Sequence, residues 1–129
     1  MIPLPDDVRL VFEDRPGFLF ARVTGPRDSF AISVAYWNRI AVECERRGSR
    51  KVLVVEELGD HEGERDLPAI VDRILGMGFE QRQIAFVVGR VELLAHMEHG
   101  EILALERGAH GRVFASIEMA EHWLRHGGV

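Results

Sequence analysis

The sequence predicts an α/β domain with a mixed, mostly parallel sheet that opens with a β-hairpin and has helices packed on it. Strand-like runs alternate with helical patterns, a Pro-Gly turn joins the first two runs, and the runs at 52–55 and 84–88 are continuously apolar. Parallel strands need crossovers, and helices usually supply them. The predicted order is β-β-α-β-α-β-α-β-α, a three-layer sandwich forming a single domain over 1–129.

The first two strands are predicted at 8–13 and 18–24. Pro16 fixes φ for one central turn position, and Gly17 accepts a positive φ at the next. A turn this tight makes the first strand antiparallel to the second. Gly25-Pro26 is expected to end the second strand.

The first helix is predicted from an N-cap at Asp28 or Ser29 to about Arg47, where Gly48 can take the left-handed position that ends it. Its apolar residues repeat at spacings of three and four and form one stripe. Tyr36 and Trp37 are adjacent and lie about 100° apart around the helix. Both are buried only if the helix is broadly covered, so one of them is a candidate for facing a partner or a ligand.

The middle of the chain repeats the strand–helix pattern. Strands are predicted at 51–55 and 84–88, and the helix between them begins at an Asp66 N-cap and ends within 76–78. The next helix is predicted over 91–107. Gly100 in its middle costs about 1 kcal/mol relative to Ala and leaves a kink or a split open.

The chain is predicted to end with a short strand at 111–115 and a helix capped by Ser116. On this helix Trp123 and Leu124 lie on the inner face. We expect Trp123 to be buried against Phe114, and Trp123 and Leu124 together to hold the last helix on the sheet.

Charge is concentrated in one segment. Residues 56–66 hold six acids and one base, whereas the rest of the chain holds fifteen of each, for a net charge of −5. We expect a solvated acidic loop here, because like charges at this density repel one another. The sequence contains no basic stripe with interleaved aromatics, so nucleic-acid binding is not expected. No apolar run approaches membrane-spanning length, so a membrane span is not expected either.

Several stretches together resemble the SpoIIAA-like, STAS-like family of small bacterial α/β proteins. They are 18–25, 52–56 leading into the acidic segment, 82–88, 113–114 and 117–124. The resemblance implies a non-catalytic regulatory or interaction module. Relatives include anti-sigma-factor antagonists that act by protein–protein contact and proteins that enclose a small apolar ligand.

One departure from this family concerns phosphorylation. The antagonist branch carries a phosphorylatable Ser where the strand at 52–55 passes into its following helix, but this stretch of the chain contains neither Ser nor Thr. Six acids occupy the region instead and would repel a phosphate. Partner switching by phosphorylation is therefore not expected.

The candidate binding residues lie where the strands end. Ligands of open α/β sheets bind outside the carboxyl ends of the strands, which directs attention to Glu57, Asp60 and His61 and to Arg90 after the next strand. If the two strands are parallel neighbours, Arg90 lies near Glu57 or Asp60. An ion pair between Arg90 and one of these acids would either hold the loop in place or belong to a rim of mixed charge around a pocket. The helix face with Tyr36 and Trp37 is the other candidate surface.

Catalysis is not predicted, and no catalytic residue, cofactor or metal ligand is assigned. Nucleotide, dinucleotide and hydrolase motifs are absent, and Cys44 falls on an apolar stripe. The alternative is a metal-assisted enzyme that uses the acidic loop 56–66 and a His. A single cysteine and the absence of a signal peptide favour the cytoplasm. The expected partner is a protein or a small apolar molecule, and a homodimer is compatible with the sequence.

Overall fold

The computed structural model describes residues 3–127 and confirms the α/β class with a mixed sheet. The strands are β1 Arg9–Arg15, β2 Phe18–Ser29, β3 Lys51–Glu62, β4 Gln83–Val88 and β5 His110–Phe114. The helices are α1 Phe30–Arg47, α2 Leu67–Leu75, α3 Leu94–Glu106 and α4 Ile117–His122. Short 3₁₀ turns lie at Phe79–Gln81 and Val91–Leu93, and a π-helical turn at Trp123–Gly127 follows α4.

The strands lie in the sheet in the order in which they occur in the chain. β1 pairs antiparallel with β2, and the pairs β2–β3, β3–β4 and β4–β5 are parallel. Right-handed crossovers that all step in one direction place their helices on the same face. Accordingly α1, α2 and α3 share one face, and the chain reaches the other face only with α4.

The two faces of the sheet can be read from alternate residues of β3. Val52, Val54 and Leu58 are buried with residues of α1 and α2. Leu53 and Val55 are buried with residues of α4. Successive side chains of a strand point to opposite faces, so Glu56 faces the three-helix side with Val52 and Val54, whereas Glu57 faces the α4 side.

Three predicted helix starts are confirmed. The side chains of Ser29, Asp66 and Ser116 each accept a hydrogen bond from the backbone N–H three residues later, at 3.1, 3.1 and 3.2 Å. Gly48 ends α1 in the left-handed conformation with φ of 66°. In each case a local side-chain or backbone requirement determined the boundary, which is why the sequence reveals it.

The predicted ends of the second and third strands are wrong. β2 continues through Gly25 and Pro26 to Ser29, and β3 continues to Glu62, with Ser29 opposite Glu62. Proline is tolerated because the pairing of β2 with β1 stops at Thr24, opposite the first residue of β1. The last part of β2 is therefore an edge whose outward N–H groups need no partner.

The third helix forms as predicted, and Gly100 does not split it. α3 is continuous through Gly100, and the irregular turn precedes it at Val91–Leu93. A cost of about 1 kcal/mol for one glycine is too small to interrupt a helix that packs on β5 and α2. Among residues 3–127 no helix is long and apolar enough to cross a membrane.

Of the two residues predicted to hold the last helix, Leu124 is fully buried and Trp123 is not. The expected contact exists, because the rings of Phe114 and Trp123 lie 5.6 Å apart. Trp123 is nevertheless only half-buried, whereas Ala120 and Leu124 have no exposed surface. Lys51 Nζ also donates to the Leu124 carbonyl at 2.5 Å.

Leu124→Ala should therefore destabilise the protein more than Trp123→Ala. Removing a fully buried leucine side chain costs about 2–5 kcal/mol, and truncating the half-exposed tryptophan should cost less than about 2 kcal/mol. Urea unfolding of both variants measures the difference. A Trp123→Ala variant that loses more stability than Leu124→Ala would return the anchoring role to the tryptophan.

Gly59 should tolerate no side chain. A Cβ at this position would lie 2.0 Å from the Pro26 carbonyl oxygen in the neighbouring strand, so the backbone of β2 would have to move. We expect Gly59→Ala to lower the free energy of unfolding by about 1–3 kcal/mol. Gly100→Ala is the matched control: its Cβ would meet only Leu67 at 3.9 Å, and it should raise stability by about 0.5–1 kcal/mol. Equal effects of the two substitutions would contradict the close approach of β2 and β3.

Candidate functional site

A cavity of about 130 Å³ lies between the sheet and the three helices α1, α2 and α3. Its walls are mostly apolar. For comparison, a dry apolar cavity of about 150 Å³ in another protein holds benzene. The space therefore matches a molecule the size of a six-membered ring.

One wall of the cavity is formed by aromatic side chains that pack against one another. Trp37 on α1 stacks on Phe86 of β4 with ring centroids 5.7 Å apart, and it meets the ring of Phe79 edge-on at 5.4 Å. Ile70 and Ile74 of α2 complete this side. Such interlocked rings form a rigid apolar surface.

Helix α3 forms the least buried wall. Met97, Gly100 and Ala104 line the cavity, yet none of the residues of α3 is fully buried. Ile102 and Leu105 on its outer side are exposed. A helix held by few buried contacts opens at low free-energy cost, so α3 is the natural entrance to the cavity.

Polar residues line the cavity where β2 and β3 end and α1 begins. Asp28, Ser33, Tyr36 and Glu56 are all buried, with Asp28 at 6% and Glu56 at 5% exposure. His61 and Arg65 line the same cavity and are half-buried. We call Asp28, Ser33, Tyr36, Glu56 and His61 the polar end. Two buried carboxyl groups beside an apolar space are uncommon in a core, since burying a charge is costly.

Glu56 has an incomplete set of hydrogen-bond partners. Its Oε1 accepts from the Leu58 N–H at 2.5 Å, and the described residues give its carboxyl group no other hydrogen bond. Burial raises the pKa of Glu56 to about 7, against the opposing effect of that hydrogen bond. The negative charge of Asp28 raises this pKa further, while Arg65 and Arg90 lower it.

Asp28 is the better partnered carboxyl group. Its Oδ1 accepts from the Ser29 N–H at 2.8 Å and from the Ser33 hydroxyl at 3.0 Å. Burial still raises the pKa of Asp28, although both hydrogen bonds oppose it. Burial also raises the pKa of Tyr36 well above its usual value, and the nearby negative charges of Asp28 and Glu56 add to this shift. The Tyr36 hydroxyl therefore stays protonated and can donate.

His61 offers an unused nitrogen to the site. Its Nδ1 lies 3.3 Å from the Gly63 carbonyl, and its Nε2 is buried without a hydrogen-bond partner among residues 3–127. Because a carbonyl only accepts, Nδ1 carries the hydrogen in this contact, which leaves Nε2 of the neutral ring as an acceptor.

Three of the six predicted binding residues line the cavity, and three do not. Tyr36, Trp37 and His61 come together there, so both aromatic residues of the adjacent pair face the same space. Glu57 lies on the opposite face of the sheet, 3.6 Å from Arg22.

Arg90 lies near Asp60, one of the two partners predicted for it. Arg90 Nη1 donates to Asp60 Oδ1 at 2.8 Å, and its Nε donates to Glu92 at 3.0 Å. The Asp60 side chain is 91% exposed, so water screens this pair and it contributes little to stability. Arg90 contacts none of the polar end directly and acts on Glu56 only through its charge.

The prediction of a loop at 56–66 is wrong for most of its length, although five of the six acids are exposed as expected. Residues 56–62 belong to β3 and pair with β2, and only 63–66 lie between that strand and α2. The alternation of the strand separates the acids, which lowers the repulsion that favoured a loop, and it turns Glu56 inward. Within the described residues 3–127 no group of three His, Cys, Asp or Glu side chains is placed to hold a metal ion.

Sequence reasoning missed Asp28, Ser33 and Glu56 as site residues. A signal was present for Glu56, since its position shares the face of Val52 and Val54 by simple alternation. No comparable signal was available for Asp28, because its place depends on a strand that continues through Gly25-Pro26.

Comparison with known proteins does not extend this description. The chain matches no family model, and no curated protein matches it either. The geometry of the cavity therefore carries the functional argument.

Glu56→Gln should change how stability depends on pH. With a folded-state pKa raised from 4.5 to about 7, native Glu56 holds its proton in a range where the unfolded chain has lost it. Glu56 thus stabilises the fold at low pH, and this contribution is lost as the pH rises through about 7. The neutral amide does not titrate, so the stability of wild type relative to Glu56→Gln should fall by about 2–3 kcal/mol between pH 4.5 and pH 8.

Urea unfolding at several pH values measures this difference. Glu57→Gln is the matched control, because Glu57 is the next residue of the same strand but is exposed on the opposite face. Its stability relative to wild type should not vary with pH in this way. If the difference in unfolding free energy between wild type and Glu56→Gln does not vary with pH, the Glu56 carboxyl group is solvated.

Proposed function

We propose that this chain is a non-catalytic binding module that encloses a small, mostly apolar molecule between its sheet and helices α1–α3. The observation that carries the proposal is the combination of a ring-sized apolar cavity with a few convergent polar groups, which is the usual character of a small-molecule site. Asp28 and His61 of the polar end lie at the carboxyl ends of β2 and β3, where ligands of α/β sheets bind.

The lack of an activated thiol supports a non-catalytic role. Cys44 is fully buried, and burial raises its pKa to about 11. A protonated, inaccessible thiol is a poor nucleophile. The metal-assisted alternative lacks a ligand set among the described residues, and it is not favoured.

One observation favours acid–base catalysis as a second candidate function. A carboxyl group with a pKa near 7 in an apolar cavity is suited to proton transfer. The two functions have different effects on the bound molecule: a binding module releases it unchanged, whereas an acid–base catalyst converts it to a product. Mass spectrometry of a ligand after long incubation with the protein distinguishes them.

The wider assignment rests on the resemblance described above. We include in the proposal a cytoplasmic regulatory module of the SpoIIAA-like, STAS-like type, in which ligand binding alters contact with a protein partner or a second copy of the chain. The α/β architecture and the apolar cavity support this reading. The exposed apolar residues Ile102 and Leu105 on α3 provide a surface that would respond to movement of the cavity wall.

Filling the cavity should abolish ligand binding without unfolding the protein. Ala104 of α3 lines the cavity, whereas the neighbouring Leu105 is 69% exposed. We expect toluene or indole to raise the melting temperature of wild type and of Leu105→Phe, but not of Ala104→Phe, whose ring occupies the space. Thermal unfolding at several ligand concentrations measures the effect. A ligand response that survives in Ala104→Phe, or no response in wild type, would refute the proposed site.

A further inference from the structure

We propose that the ligand of this cavity is a small primary amine, with an apolar body about the size of one six-membered ring and an ammonium group at the polar end. This inference rests on the proposed binding function and specifies the chemical class of the ligand. It follows from the hydrogen-bond capacity, the charge and the size of the site, taken in turn below.

With Glu56 ionised, the polar end offers acceptors for which the described residues supply no donor. The described residues give Glu56 one hydrogen bond, from the Leu58 backbone, which leaves its second oxygen open. His61 Nε2 is buried without a partner and is an acceptor in the neutral ring. A buried acceptor without a donor is costly. An ammonium group carries three donors and no acceptor, so it matches this arrangement.

The charges around the cavity leave room for one more cation. Three carboxyl groups line it, Asp28 from β2, Glu56 from β3 and Glu101 from α3, and so do two arginines, Arg65 after β3 and Arg112 of β5. Arg90, which follows β4, is held by Asp60 and Glu92. Tyr36 of α1 remains neutral. With the three carboxyl groups ionised and the His61 ring neutral, the lining holds three negative charges against two positive charges, and a bound ammonium group restores the balance.

Below about pH 7 the free protein balances these charges by keeping a proton on Glu56. Burial favours the neutral acid there, and the carboxylate of Asp28 does so as well. An ammonium group bound beside Glu56 would favour the ionised form instead. Binding of a charged amine below neutral pH therefore requires the release of close to one proton from the protein, and this release is specific to the proposed ligand class.

The size of the cavity limits the apolar part of the ligand. At about 130 Å³ it accepts a single ring but not a fused aromatic system with substituents. The stacked Trp37 and Phe86 rings form a flat wall suited to such a ring. Benzylamine is the simplest probe that has both parts.

The test compares four compounds that share one ring: benzylamine, benzyl alcohol, toluene and benzoate. Isothermal titration calorimetry at about pH 6 should give benzylamine an affinity at least about tenfold higher than that of benzyl alcohol. Benzoate should not bind. The same benzylamine titration in two buffers of different ionisation enthalpy should show the release of close to one proton, a measurement that needs no variant.

Variants then assign the effect to Glu56. In Glu56→Gln the preference for benzylamine over benzyl alcohol should fall below about threefold, with no proton release. Glu57→Gln, on the opposite face of the same strand, should keep both the preference for benzylamine and the proton release. Equal binding of amine and alcohol, binding of benzoate, or an unchanged preference in Glu56→Gln would overturn the amine assignment while leaving an apolar binding site. If none of the compounds binds, toluene included, the proposed function itself fails.

Discussion

The site depends on one constraint, the close parallel pairing of β2 and β3 past the point where β2 stops pairing with β1. The pairing continues from Gly25 opposite Leu58 to Ser29 opposite Glu62. It requires a glycine at 59, since any Cβ there would collide with the backbone of Pro26. This extension brings Asp28 and His61 next to each other on adjacent strands, and it directs the chain into α1 with Ser33 and Tyr36 facing the same space.

Burial of the two carboxyl groups is the main cost of this arrangement. Removing Glu56 from water disfavours its ionised form, and the fold compensates by leaving the carboxyl group protonated rather than by supplying a salt bridge. Asp28 instead receives two hydrogen bonds from the start of α1. The hydrogen bonds of the fold therefore satisfy the carboxyl group of Asp28, whereas the carboxyl group of Glu56 is free to respond to a ligand.

The sequence was sufficient for the fold wherever a local rule operates. Alternating apolar runs predicted the α/β class, and Ser29, Asp66 and Ser116 marked helix starts because their side chains cap the backbone directly. The limits of β2 and β3 were not predictable in the same way. A Gly-Pro pair normally ends a strand, and its acceptance here depends on a free sheet edge that exists only once the strands are assembled.

The same distinction applies to the site. Tyr36 and Trp37 could be singled out because two adjacent large aromatics imply a broadly covered helix. The acidic segment drew attention to Glu57 and Asp60, whose charges are exposed, and away from Glu56, which matters because it is hidden. Composition records how many acids a segment holds. Only the pairing of its strand determines which of them faces the cavity.

The most direct test of this account is the titration of the Glu56 side-chain carboxyl group by carbon-detected NMR, with Glu56→Gln used to assign the signal. The account predicts a pKa of about 7 in the free protein and a clear fall in that pKa when benzylamine is bound. A value near 4.3, the ordinary value for glutamate, both with and without the amine, would contradict it, because Glu56 would then be solvated and unable to distinguish one ligand from another.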